Sequence, residues 1–185
     1  MSTSHSILVT GGAGFIGSHL VEYLLSLGHR VTVLDNFRNG KRENLEDVAA
    51  NPACKIIHGD ILDLHTCEKA CEGVEYVFHL ACMGVRHSLH NPHENHQVNA
   101  TGTHHMLQAS KRAGVGKFVY VSTSEVYGRA SDFPIVEGTA TWPLTVYGAS
   151  KLAGEHYTRA FDECFGLKTT RIRTFNNYGP RSHFE

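Results

Sequence analysis

The stretch that most constrains this chain is Ser6-Ile-Leu-Val-Thr-Gly-Gly-Ala-Gly-Phe-Ile-Gly17. Ile7, Leu8 and Val9 form a short apolar run of the kind buried on both faces of a parallel sheet. Glycines break it, and from Phe15 the pattern turns helical. Ile16, Leu20, Tyr23, Leu24 and Leu27 are predicted to share one packed stripe, with Gly28 as the C-terminal cap. Strand, glycine turn and helix in that order make an anion site. Gly11 permits the tight turn, Gly14 lets backbone approach a pyrophosphate, and Gly17 lets the helix pack closely on the strand. Free N–H groups at the helix start then hold the phosphates. The spacing is Gly11-x-x-Gly14-x-x-Gly17 rather than G-x-G-x-x-G, and a plain strand–helix connection can also use glycines. The next strand favours a nucleotide: Val31-Thr-Val-Leu34 ends in Asp35, about 20 residues further on, where a carboxylate would meet the ribose hydroxyls of an adenosine.

The remaining pattern alternates strand and helix. A polar loop from Asn36 to Arg42 leads to a short helix near Asn44–Ala50, and strands are predicted at Lys55–His58, Tyr76–Leu80, Lys117–Ser122 and Lys168–Arg173. Helices are predicted at Leu64–Cys71, from Pro92 to about Ala113, and at Val146–Phe165. Asn91 is the expected N-cap before Pro92, and Gly73, Gly114 and Gly166 close their helices. Six strands with intervening helices argue for an α/β fold, an open doubly wound parallel sheet.

Composition excludes several classes. The 185 residues suit one domain. With 17 basic against 18 acidic residues and a formal net charge of −1, no basic arm marks a nucleic-acid partner. Five cysteines (Cys54, Cys67, Cys71, Cys82 and Cys164) form no C-x-x-C pair, which predicts free thiols in a reducing compartment. Neither a signal peptide nor a run approaching the ~20 apolar residues of a membrane span is predicted, so the expected location is the cytoplasm.

Tyr147-Gly-Ala-Ser-Lys151 places a phenol and an ammonium on one helix face. A free tyrosine with pKa ~10 is a poor base at neutral pH, and a cation one turn away is expected to pull that value down. Tyr127 and Tyr157 have no lysine at the same spacing. Val121-Ser-Thr-Ser-Glu-Val-Tyr-Gly128 puts hydroxyls and a carboxylate at the carboxyl end of a strand, where ligands bind in such sheets; a simple Ser/Thr turn explains it equally well. His87, His90, His93 and His96 recur every third residue, but Pro92 starts a new helix among them. No metal site is predicted, and the run should instead make surface charge sensitive between about pH 5 and 7.

Taken together, the glycine turn, Asp35, Gly59-Asp60, Asn99 in Val-Asn-Ala-Thr-Gly, Ser122-Thr123, Tyr147/Lys151 and Arg173-Thr-Phe-Asn-Asn-Tyr-Gly-Pro180 resemble the extended short-chain dehydrogenases/reductases. Within them, the chain is most similar to the nucleotide-sugar epimerases and dehydratases. The resemblance runs from Ile7 to Arg181 and implies a Rossmann fold with NAD as cofactor. By it, Gly11, Gly14 and Gly17 would hold the pyrophosphate, Asp35 the adenosine ribose, and Asp60 with Ile61 the adenine, with Phe15, Ile16 and Asn36 also binding the cofactor. Tyr147 would be the base and Lys151 its activator and ribose anchor. Thr123 would partner the reacting sugar oxygen, Asn176 would touch the sugar nucleotide, and Tyr178 to Pro180 would line the nicotinamide. Asp35 favours NAD over NADP, with Arg38 nearby as a complication.

Members of that family are longer, so residues 1–185 are expected to be the NAD-binding domain, with most of a C-terminal substrate domain lacking. The expected activity is 4-epimerisation of a nucleotide sugar through transient oxidation at C4. Glu125 keeps two alternatives open, a 4,6-dehydratase or a glucuronate decarboxylase, although Ser124 stands where the thymidine-linked dehydratases resemble aspartate. A non-catalytic NAD-binding module is the third. The family's homodimer would use helices near residues 92–113 and 146–165. The apolar stripe of the first (Val98, Met106, Ala109, Ala113) is thin, which predicts a weak dimer.

Overall fold

The structure, a computed structural model, describes residues 3–130 and 133–182. Six strands form one sheet: β1 (Ser6–Thr10), β2 (Arg30–Asp35), β3 (Cys54–His58), β4 (Tyr76–His79), β5 (Lys117–Thr123) and β6 (Thr169–Thr174). All pair in parallel, in the order β3-β2-β1-β4-β5-β6. Strand order therefore reverses beside β1, and the carboxyl ends on either side of that switch point open a crevice.

Alternation along the strands makes two cores. Ile7 and Val9 of β1 and Val31 and Val33 of β2 face one side, while Leu8, Leu34, Phe118 and Tyr120 face the other. Helices α1 (Phe15–Ser26) and α2 (Glu46–Ala49) are on the first side. Helices α3 (Leu64–Cys71), α6 (Thr103–Arg112) and α7 (Val146–Phe165) contribute to the second. Each fully buried Leu or Val adds about 1.5–3 kcal/mol.

The packed face of α1 differs from the predicted stripe. Gly17, Val21 and Leu24 are buried, whereas Ile16, Tyr23 and Leu27 are exposed. The cause is the turn itself: Gly17 lies so close to Gly11 and Gly12 that a Cβ there would collide with their backbone. That contact fixes the inward line, and Val21 and Leu24 follow at i+4 and i+7.

The helix predicted from Pro92 to Ala113 is three pieces. Asn91 caps α5 (Pro92–His96), its side chain accepting from the Glu94 N–H, and a π-helical segment (Gln97–Gly102) joins α5 to α6. A further helix, α4 (Val85–His90), had no sequence prediction. The short helix near Asn44–Ala50 is a 3-10 turn (Arg42–Leu45) running into α2. Thr145 caps α7 by accepting from the Gly148 N–H at 2.9 Å, and Gly166 ends it with φ of 73°.

Candidate active site

The crevice at the switch point holds a cavity of about 320 Å³. At one end lie Gly11, Gly14, Phe15, Ile16 and Gly17 of the turn, with Asp35, Asn36, Asn39 and Gly40 after β2 and Gly59, Asp60 and Ile61 after β3. At the other lie Cys82, Met83 and Gly84 after β4, Val121 and Ser122 of β5, and Tyr147 and Lys151 of α7. Residues distant in sequence meet because parallel strands deliver all their carboxyl ends to one edge.

The glycines divide their work. Gly11 has φ of +70°, and a Cβ on it would lie 2.8 Å from the Ala81 nitrogen. Gly14 has more room, its nearest conflict being the Gly11 carbonyl at 3.2 Å. Asp35 is buried and braces the turn, accepting from the Ala13 N–H at 2.9 Å and from the Phe37 N–H at 2.8 Å. Asp60 accepts from Asn36 Nδ2 and from the Leu62 N–H, both at 2.9 Å.

Lys151 is only 2% exposed. Burial works to discharge it, but Tyr120, Cys82 and Tyr147 around it hold its pKa above the ordinary lysine value. The Thr123 side chain, buried but outside the cavity lining, favours the ionised form of Tyr147. The Tyr147 phenol departs from the sequence expectation: burial, reinforced by Cys82, pushes it up to about 12. Lys151 and Thr123 pull downward and do not prevail. The resting pair is thus a neutral phenol beside an ammonium.

Two buried polar networks, neither predicted, hold this end. Asn99 sits in the π-helical segment, a distortion frequent at functional sites. It accepts from the Met83 N–H at 2.8 Å and donates to the Met83 carbonyl at 2.9 Å and to Ser150 Oγ at 3.1 Å. The loop after β4 is thereby tied to the helix that carries Tyr147 and Lys151. In the second, the Thr103 hydroxyl donates to the Asn99 carbonyl at 2.7 Å. It must therefore accept from His79 Nε2–H at 3.0 Å, which leaves His79 Nδ1 to accept from Thr10 at 2.7 Å. Burial first, and Lys151 second, hold the His79 pKa down to about 3.

Other residues named from the sequence fall outside the cavity lining. The Glu125 side chain is exposed, although its N–H donates to Thr123 Oγ1 at 3.2 Å. Asn176 is exposed, and Tyr178 is 94% exposed. The segment after β6 runs back to α1 instead, where His19 Nε2 lies 3.0 Å from the Pro180 carbonyl and Arg181 bonds to Ser18 and Glu22. The dimer stripe is also corrected: Val98, Met106 and Ala109 are buried in this chain's own core. Among the histidines, α4 ends at His90 before α5 begins, and His87 lies 3.0 Å from Glu94. No group of three His, Cys, Asp or Glu among the described residues could hold a metal. No helix among them is long and apolar enough to cross a membrane.

The cavity suits a dinucleotide. Its turn presents bare backbone at Gly11 and Gly14, and the buried Ser122 Oγ, in the lining, has no hydrogen-bond partner among the described residues. A buried hydroxyl left unpaired is costly, and a ligand amide or hydroxyl there would satisfy it.

Comparison with known proteins agrees. A family model described as the NAD dependent epimerase/dehydratase family matches residues 7–185. The UDP-glucose 4-epimerase of Mycolicibacterium smegmatis is 37% identical over 177 residues, covering 94% of this chain and 56% of that protein. UDP-glucuronic acid decarboxylase 1 of Arabidopsis thaliana is 37% identical over 183 residues, covering 95% of this chain and 40% of its own. Among solved structures, the dTDP-glucose 4,6-dehydratase DesIV of Streptomyces venezuelae, with NAD bound, superposes with a TM-score of 0.92 at 38% identity, covering 96% of this chain and 58% of its own. The chain thus spans about half the length of the relatives it matches.

Proposed function

The chain belongs to the NAD-dependent epimerase/dehydratase family, and from that membership we propose that its residues 1–185 form the cofactor-binding domain of a nucleotide-sugar 4-epimerase. The turn glycines with Phe15 and Ile16 hold the pyrophosphate, Asp35 and Asn36 the adenosine ribose, Asp60 and Ile61 the adenine, and Lys151 the nicotinamide ribose. NAD, when bound, supplies a reversible hydride acceptor.

Tyr147 first loses its own proton to solvent; as the phenolate it takes the proton from the sugar 4-hydroxyl while C4 is oxidised, and it returns that proton after the 4-keto sugar has turned over. Thr123, at the carboxyl end of β5, orients the reacting oxygen. Lys151 stabilises the phenolate before it accepts that proton, and the positive charge of a bound, oxidised nicotinamide would add to this, offsetting the burial that raises the resting phenol. Asn176 would contact the sugar nucleotide, and Tyr178 to Pro180 would line the nicotinamide.

One observation carries 4-epimerisation over elimination or decarboxylation. The carboxylates lining the cavity, Asp35 and Asp60, are at the adenosine end, and no carboxylate among the described lining residues stands beside Tyr147. The second reading rests on Glu125, whose backbone is tied to Thr123 and which would be the acid of an elimination or decarboxylation. Chromatography after incubating a form of the protein that includes the substrate domain with NAD and UDP-glucose, UDP-glucuronate or dTDP-glucose tests this. The C4 epimer is expected; a pentose with carbon dioxide, or a 6-deoxy-4-keto sugar, supports the second reading.

Five free cysteines fit a reducing, cytoplasmic setting. A homodimer would use the outer faces of α6 and α7, where Tyr157 is exposed beside His104. With Val98, Met106 and Ala109 committed to the core, that contact is weak.

A further inference from the structure

The loop after β2 carries a cation at the adenosine end of the cleft. Asn36, Asn39 and Gly40 line the cavity, but Arg38 between them does not. Its guanidinium is engaged by Glu94 of α5: Nη1 bonds to Oε1, and Nη2 donates to Oε2 at 2.9 Å. Glu94 is itself held in place. Asn91 Nδ2 donates to its Oε2 at 2.9 Å, His87 Nε2 lies 3.0 Å from the same oxygen, and its own N–H donates to Asn91 Oδ1 at 3.2 Å.

Dinucleotide sites distinguish NAD from NADP at the adenosine ribose, where a carboxylate takes the 2′-hydroxyl and a nearby arginine accommodates a 2′-phosphate. This chain has both residue types three positions apart. Which one governs depends on whether the arginine is free. A lone exposed ion pair would hold it weakly, but a bidentate fork within a wider network is the arrangement that does hold.

We propose that Glu94 is a cofactor-specificity residue: by engaging Arg38 through both oxygens, it withholds that guanidinium from the ribose and so excludes a 2′-phosphate. The inference rests on the NAD reading of the cleft. His87 and Asn91 act through Glu94, fixing its carboxylate.

The test is calorimetric titration of NAD and of NADP into the wild-type chain, Glu94→Ala, Glu94→Gln, Arg38→Ala and the double variant Glu94→Ala/Arg38→Ala, each with a melting curve. Glu94→Ala is expected to tighten NADP at least about fivefold while NAD changes less than about twofold. Glu94→Gln, which keeps a hydrogen-bonding side chain in the first turn of α5 but removes the charge, gives a smaller gain in the same direction. Arg38→Ala alone changes neither cofactor, and in the double variant the gain disappears. Unchanged NADP affinity in folded Glu94→Gln or Glu94→Ala, or a gain that persists without Arg38, overturns the proposal. If the folded wild type binds no NAD, the reading of the cleft fails with it; if NAD binds and NADP does not respond, this inference alone fails.

Discussion

The Lys151 ammonium lies 4.4 Å from the centroid of the Tyr120 ring, and the Tyr120 hydroxyl donates to the Lys151 carbonyl at 3.2 Å. A buried cation needs such a partner, and the ring face supplies one. Tyr120→Leu should therefore destabilise the protein by about 3 kcal/mol, from lost packing and a poorly compensated charge. Tyr120→Phe, which keeps the ring, should cost about 1 kcal/mol. Denaturant melts of the two variants check the difference; equal losses would mean the ring face does not matter.

Tyr147 and Lys151 should separate in their effects. Tyr147→Phe removes the acid–base group while keeping the shape, so turnover should fall about 10²–10⁴-fold with NAD affinity nearly unchanged. Lys151→Ala should reduce both, since it removes the charge facing the phenol and a ribose contact. Steady-state kinetics on an active preparation, paired with NAD titration, reads the two quantities apart.

The turn glycines predict a second separation. A Cβ on Gly17 meets the Gly11 carbonyl and cannot be relieved by a flexible side chain, so Gly17→Ala should destabilise the fold by about 2–3 kcal/mol. A Cβ on Gly14 has a single near neighbour at 3.2 Å and otherwise projects into space a phosphate would use. Gly14→Ala should leave the melting temperature close to wild type while weakening NAD binding at least about tenfold.

His79 sets an acid limit on stability. Its folded pKa, about 3, lies below the ordinary value of ~6.5, so between the two the unfolded chain binds the extra proton. Stability from this group is complete above about pH 6.5 and falls as pH drops towards 3, by about 1.4 kcal/mol per unit. His79→Gln can still accept from Thr10 and donate to Thr103 but does not titrate. Between pH 7 and pH 5 the wild type should lose about 2 kcal/mol more than the variant. Parallel pH dependence in both proteins would contradict this.

Much of this was legible in the sequence because strand periodicity and caps are local signals. Asn91 with Pro92, Thr145 to Gly166 around α7, and the glycine turn each state their structure within a few residues. Eleven of the residues given a cofactor or catalytic role, from Gly11 to Lys151, meet at one cavity because the strand ends are set by the same local patterns. What was not legible depends on who packs against whom. The inward face of α1 follows from the Gly11–Gly17 contact rather than from apolar count. The π-helical segment carries Asn99, whose partner Met83 is 16 residues away, and the raised phenol of Tyr147 follows from burial that spacing alone does not reveal. Glu94 gave no signal, since its partner Arg38 is 56 residues away.

The central claim is that this chain holds NAD in the cleft between the glycine turn and α7. Calorimetric titration of NAD into the 185-residue chain tests it most directly. Saturable binding of one NAD per chain, tighter than NADP, is the predicted result. A folded chain that takes up no NAD would contradict the account at its base.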